Sequence, residues 1–144
     1  SVAAQTGATG GNVHDNLEWD NYDLTVDGAT TGYDIKESSL PLPLIINPGD
    51  NIDLTVTLVE HTPISLHVTV LNSSQGMVDN ATVHLLGNGV DLTQGTGVAG
   101  QVMFTDLPAD GTYTISIDAP GYASITQDVS VLGTSSATFI LATP

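Results

Sequence analysis

Tyr113-Thr114-Ile115-Ser116-Ile117-Asp118-Ala119-Pro120-Gly121-Tyr122 is the stretch on which the fold turns. Tyr113, Ile115 and Ile117 alternate with Thr114, Ser116 and Asp118, the period-2 pattern of a strand with one face buried and one in water. Pro120-Gly121 then stops it. Just upstream, Gly100–Leu107 carries Val102 and Phe104 in the same phase, and Asp110-Gly111 predicts a turn between the two strands. Further upstream, Ile64, Leu66, Val68 and Val70 alternate with Ser65, His67 and Thr69. Asn72–Gly76 turns the chain, and Ala81, Val83 and Leu85 face inward on the next strand. Downstream, a strand over Ile125–Val131 and another carrying Ala137, Phe139 and Leu141 complete the set. Six or seven short strands with such frequent turn signals predict a β-sandwich.

Composition agrees. Hydrophobic residues make up 40% of the 144, enough for a packed core, and the apolar set is rich in Val and Ile. These β-branched types, like the abundant Thr, pack well on a pleated surface and lose rotamer freedom in a helix. Fifteen Gly and seven Pro supply turns, whereas Glu (Glu18, Glu37, Glu60) and Lys are scarce and Arg is absent. The formal charge is −15, with Lys36 the single basic residue besides four His. A surface without cations cannot neutralise phosphates, which argues against nucleic acid and anionic membrane as partners. No apolar run reaches the roughly 18 residues of a membrane span. Cys is absent, so disulfides and thiolate metal sites are excluded. The polar surface rests on Thr, Ser, Asn and Gly, a balance that suits an extracellular or cell-surface protein. Ser1-Val2-Ala3-Ala4 reads as a mature or excised start.

Self-similarity adds a second layer. Gly100–Leu107 followed by Tyr113–Tyr122 has an earlier echo in Gly11–Leu17 followed by Tyr22-Asp23-Leu24-Thr25-Val26-Asp27-Gly28 and Gly32-Tyr33. Each copy then shows a Gly turn and a closing alternating strand: Ile52, Leu54, Val56 and Leu58 in the first, Ala137, Phe139 and Leu141 in the second. Each ends on Thr-Pro, at Thr62-Pro63 and Thr143-Pro144. The chain thus reads as all-β, about one and a half tandem immunoglobulin-like or transthyretin-like sandwiches. Residues 1–63 form an incomplete repeat lacking its opening hairpin, and 64–144 a complete one. An incomplete sandwich exposes apolar surface and unpaired edges. Three readings compete: a cut from a longer parent, a strand donated by a neighbouring subunit, or closure by the chain's own Ser1–Gln5.

The second copy resembles the carboxypeptidase regulatory-like domain, a transthyretin-like sandwich of secreted and surface proteins. The residues that carry the likeness are Leu66–Val70, Val78-Asp79-Asn80-Ala81-Thr82-Val83, Gly100–Leu107 and, most specifically, Tyr113–Tyr122. The likeness spans roughly Ile64–Leu141, with a weaker partial match over Gly10–Leu58. Gly11–Tyr33 is also similar to segments of prepilin-like surface proteins, although the apolar N-terminal helix of pilin assembly is not in this sequence. The resemblance implies a structural or adhesive module without catalytic residues.

Candidate sites are few. Asp15, Asp20 and Asp23, with Asn16, Glu18 and Asn21, crowd one short region and could hold Ca²⁺ through hard oxygen ligands, though not with EF-hand spacing. The plain alternative is a solvated acidic turn. Asp50 and Asp53 form a weaker version of the same. His67 and His84 are expected on outward faces of adjacent strands, too few ligands for a metal site. No nucleophile elbow occurs. An isopeptide crosslink is discounted, because Lys36 is the only Lys and lies in a loop-like stretch. Asn72-Ser73-Ser74 and Asn80-Ala81-Thr82 are glycosylation sequons at a hairpin turn or its edge. Trp19 and Tyr22 are candidate contact aromatics, with Trp19 read preferentially as a cap on the incomplete first copy. The expected function is a structural or interaction module of a surface assembly, pilus-like or adhesive, whose partners are further copies or neighbouring surface domains. A carbohydrate- or ligand-binding module built on Trp19, Tyr22 and the acidic turn is the alternative.

Overall fold

The structure, a computed structural model, describes residues 10–144; the Ser1–Gln5 closure lies outside them. In chain order the elements are β1 (Asp20–Tyr22), α1 (Gly28–Thr31), β2 (Tyr33–Ser38), β3 (Leu44–Ile46), β4 (Val56–Glu60), β5 (Ser65–Asn72), β6 (Thr82–Gly87), β7 (Val90–Gly95), β8 (Gln101–Phe104), β9 (Gly111–Asp118), β10 (Ile125–Val131) and β11 (Thr134–Leu141).

The seven strands β5–β11 form the expected sandwich. One sheet has the order β10-β9-β6-β7, all antiparallel; the other is β11-β5-β8, with β11 parallel to β5. The inward sets read from alternation meet between them: Leu66, Val68 and Val70, Val83 and Leu85, Val102 and Phe104, Tyr113, Ile115 and Ile117, Phe139 and Leu141 are all buried in one cluster. At about 1.5–3 kcal/mol per fully buried large aliphatic or aromatic side chain, this cluster supplies the main stabilisation. Tyr113 keeps its phenol satisfied by donating to the Ala109 carbonyl at 2.7 Å, as in the tyrosine corner of related sandwiches.

Two local expectations change. The strands flanking Asp110-Gly111 are not a hairpin, because β8 and β9 lie in opposite sheets. The link between them buries Leu107 and ties its N–H to the Ile64 carbonyl at 3.1 Å, so the chain crosses the core instead of reversing within one sheet. Likewise β5 and β6 belong to different sheets and make no opening hairpin. The strand that does pair with β6 is β7, across Asn88-Gly89, whose φ values of 47° and 87° are those of a two-residue primed turn.

The N-terminal part departs further from expectation. Gly11–Leu17 contains no strand, and the closing strand is only Val56–Glu60. What forms are two ribbons, β1 with β3 and β2 with β4. Among the described residues before Pro63 no hydrophobic side chain is buried; every buried one is Leu66 or beyond. Two-stranded ribbons have no second layer with which to enclose a core. The second ribbon lies instead against the sandwich as a cover, with β2 beside β8.

Candidate functional site

A groove of ≈ 310 Å³ runs between this cover and the outer face of the three-stranded sheet. The alternation that sends Leu66, Val68 and Val70 inward sends Ser65, His67 and Thr69 outward on β5, and Gln101 and Met103 are their neighbours on β8. His67, Thr69, Gln101 and Met103 line one wall; Leu24, Val26, Asp34 and Ile35 line the other. All four residues of β8 are buried, since the core covers one face and the N-terminal part the other.

Gln101 joins the two parts. Its Oε1 accepts from the Ser38 N–H at 3.0 Å and lies 3.0 Å from His67 Nε2. Its Nε2 donates to the Ser38 carbonyl at 3.0 Å and to Ser38 Oγ at 3.1 Å. The side-chain amide thus bonds Ser38 as a neighbouring strand would, and the buried polar groups of Gln101 and of the Ser38 backbone satisfy one another. With His67 donating through Nε2, burial holds its pKa below the usual imidazole range; Gln101, the Lys36 backbone and the charge of Glu37 offset this only in part. Nearer the junction, His61 Nδ1 pairs with buried Asp34 Oδ2 at 2.9 Å. The junction itself is pinned where Thr62 Oγ1 accepts from the Asp106 N–H at 3.1 Å.

The site residues expected from sequence lie elsewhere. Asp20 and Asp23 each accept from the N–H of the next residue, as isolated turn carboxylates do, and Asp15 is exposed. Among the described residues no three His, Asp or Glu side chains converge as metal ligands would. Trp19 is 75% exposed, which overturns its reading as a core cap: the ribbons have no core to close. Tyr22 donates to the Glu18 carbonyl at 2.8 Å, the same four-residue back-bond that Tyr113 makes. His67 and His84 are not on adjacent strands; they sit in opposite sheets, and His84 instead meets Asp91 across the β6–β7 pair at 2.6 Å. Lys36 is in a strand, β2, and not a loop. Asn72 Oδ1 is occupied by the N–H groups of Ser74 and Gly76, both at 2.9 Å, whereas Asn80 is exposed with φ 54°. Gln101 was missed because an outward polar residue on a short strand looks solvent-facing until something covers it.

Comparison with known proteins adds the lineage. The profile of the carboxypeptidase regulatory-like domain matches residues 65–142, more than half of the chain. The chain belongs to this family. The carboxypeptidase regulatory-like domain is non-catalytic, and its match coincides with the seven-stranded sandwich. No curated protein matches the sequence. Among solved structures, the TIE protein of Bacillus anthracis is 18% identical with a TM-score of 0.48, over 63% of this chain and 19% of that one. The 5-hydroxyisourate hydrolase of Klebsiella pneumoniae is 20% identical with a TM-score of 0.47, over 56% and 91%. A type II cohesin–X-dockerin complex from Acetivibrio cellulolyticus gives 18% and 0.34, over 56% and 54%. Likeness at this level transfers no activity. No helix among the described residues of this carboxypeptidase regulatory-like chain is long and apolar enough to cross a membrane.

Proposed function

We propose that the chain is a structural and interaction module of an extracellular or cell-surface assembly, and not an enzyme. The observation that carries this reading is the sandwich of a non-catalytic family whose polar groove beside β5 and β8 is spent on holding an N-terminal cover in place. In the groove Gln101, Ser38 and His67 bond one another, and the nearby ion pair, His61 with Asp34, belongs to the cover. A catalytic site needs a nucleophile and a base aimed at open space; here the Ser38 hydroxyl donates to the Leu40 carbonyl at 2.8 Å. The uncovered surface is acidic and hydroxyl-rich, and it carries scattered apolar contacts such as Trp19, Ile45 and Leu132. Such a surface fits neighbouring surface domains better than polyanions. Antibodies against the chain should label intact source cells or filaments sheared from them. Labelling confined to lysed cells would overturn the reading. The carbohydrate-binding alternative is weaker, because among the described residues no group of three His, Asp or Glu side chains that could hold a metal accompanies exposed Trp19. Titration with soluble glycans, read by Trp19 fluorescence, is expected to show no saturable change.

A further inference from the structure

We propose that Asn80 is an N-linked glycosylation site, carrying an oligosaccharide on its side-chain nitrogen. The inference rests on the reading of the chain as an extracellular module, because sugar is transferred to Asn-X-Ser/Thr on exported chains. Two triplets fit the motif, Asn72-Ser73-Ser74 and Asn80-Ala81-Thr82, and the fold treats them differently. Asn72 is folded back on its own turn. Its Oδ1 accepts from the N–H groups of Ser74 and Gly76, both at 2.9 Å, and a Cβ on Gly76 would stand 2.9 Å from its Nδ2. A sugar on that nitrogen would press against the turn. The turn is also local: the Asn72 N–H donates to the Gly76 carbonyl at 2.8 Å and the Asn72 carbonyl accepts from the Gln75 N–H at 2.9 Å. Contacts this close in sequence form early in folding.

Asn80 is held by its backbone instead. Its φ of 54° lies in the left-handed region that Asn tolerates better than most residues. Its N–H donates to the Thr96 carbonyl at 3.2 Å, the Ala81 N–H donates to Thr96 Oγ1 at 2.9 Å, and the Ala81 carbonyl accepts from the Thr96 N–H at 2.8 Å. Thr96 Oγ1 in turn donates to the Val78 carbonyl at 2.9 Å. These bonds fix the bend and leave the motif's side chains free. Asn80 and Thr82 are exposed, and among the described residues neither the Asn80 amide nor the Thr82 hydroxyl is bonded. Ala81 between them is buried. Thr96 stands 15 residues beyond Ala81, so this bend closes later than the Asn72 turn and keeps its triplet open to a transferase for longer. In the transfer, Asn80 Nδ2 attacks the anomeric carbon of a lipid-phosphate-linked oligosaccharide. The new C–N bond replaces the anomeric C–O bond, the lipid phosphate leaves with the electron pair, and one amide proton passes to the transferase. The finished fold then holds the sugar in solvent.

Chain purified from its source cells and cleaved before aspartate separates the two motifs, Asn72 falling in residues 53–78 and Asn80 in residues 79–90. Mass spectrometry should find a glycan on 79–90 and none on 53–78. Thr82→Ala, which keeps Asn80 and changes only an exposed side chain, should return 79–90 with the glycan completely lost. Thr82→Ser should keep it. A bare 79–90 segment, glycans on both segments, or a glycan that survives Thr82→Ala would each overturn the proposal. Surface labelling of cells reports separately: labelled cells with a bare 79–90 segment would sink the glycan alone, and a bare segment without labelling would sink both readings.

Discussion

Gln101 shows how much one side chain carries here. Its amide makes up most of the polar contact between the cover and the sandwich, so Gln101→Ala should leave Ser38 and His67 unsatisfied and cost about 1–3 kcal/mol. The loss should be read as faster amide exchange in β2 before any change in β9. His67 beneath it sets a pH dependence. Its native pKa is depressed by burial, so above about 6.5 its contribution to stability is fully present. As pH falls from there toward the lowered native value, the unfolded or uncovered histidine takes a proton that the buried one refuses, and stability falls. Glu37 acts on it through its charge, Asp34 and Asp23 line the same groove, and Gln101 and Ser38 are its neutral neighbours. A His67→Gln variant, which keeps a donor for Gln101, should lose that segment of the pH–stability curve; an unchanged curve would contradict the assignment. Gly28 supplies a second residue-scale case. A Cβ there would collide with the Asp34 carboxylate and the His61 ring, so Gly28→Ala should break the pair and loosen α1 and β2. Gly100 is constrained differently: its φ is +63°, and a Cβ would lie 2.8 Å from the Val70 carbonyl oxygen. Of these four, only His67 drew notice in the sequence, and there as half of a histidine pair with too few ligands for a metal. Each matters through a neighbour at least 27 residues away in the chain, as with His61 and Asp34.

At the scale of elements, the inward faces of β5, β6, β8, β9 and β11 could be read directly, because alternation is a local property. Their pairing was less legible. Both Asp110-Gly111 and Asn72–Gly76 look like hairpin turns, yet the strands that follow cross to the other sheet or wait for a later partner. Which sheet a strand joins depends on where Leu107 and the other linker apolars are buried, and that is a long-range choice. The β7 strand did leave a signal, the Asn88-Gly89 dipeptide, which marks a two-residue hairpin. The similarity between the halves survives as one local device: Tyr22 bonds the Glu18 carbonyl as Tyr113 bonds that of Ala109. The two should differ energetically. Tyr113→Phe removes a bond from a buried residue of the main cluster and should cost about 1 kcal/mol of global stability in denaturant unfolding, whereas Tyr22→Phe should scarcely move the midpoint. Equal losses would mean that the ribbons unfold with the sandwich as a single unit.

For the whole molecule, charge is the governing term. Sixteen acidic residues face one Lys and four His, so self-repulsion opposes compaction at low ionic strength. Raising NaCl from about 10 mM to about 150 mM shortens the screening length from about 30 Å to about 8 Å and should raise the melting temperature. A melting temperature that falls with salt would show that attractive pairs dominate, against the two short His–carboxylate contacts found. By itself the sequence determined the all-β class, the inward side chains of the sandwich, its family and its strongly acidic charge, because composition, period-2 alternation and charge act locally or as sums. Only the tertiary structure decided that residues 10–60 form a cover without a core of its own and not a partial sandwich, that Trp19 stands in solvent, and that Gln101 holds the cover down. Those outcomes depend on which surfaces meet across the fold. A polar residue on a strand and an aromatic in a turn read alike, buried or exposed, until the packing partner is known.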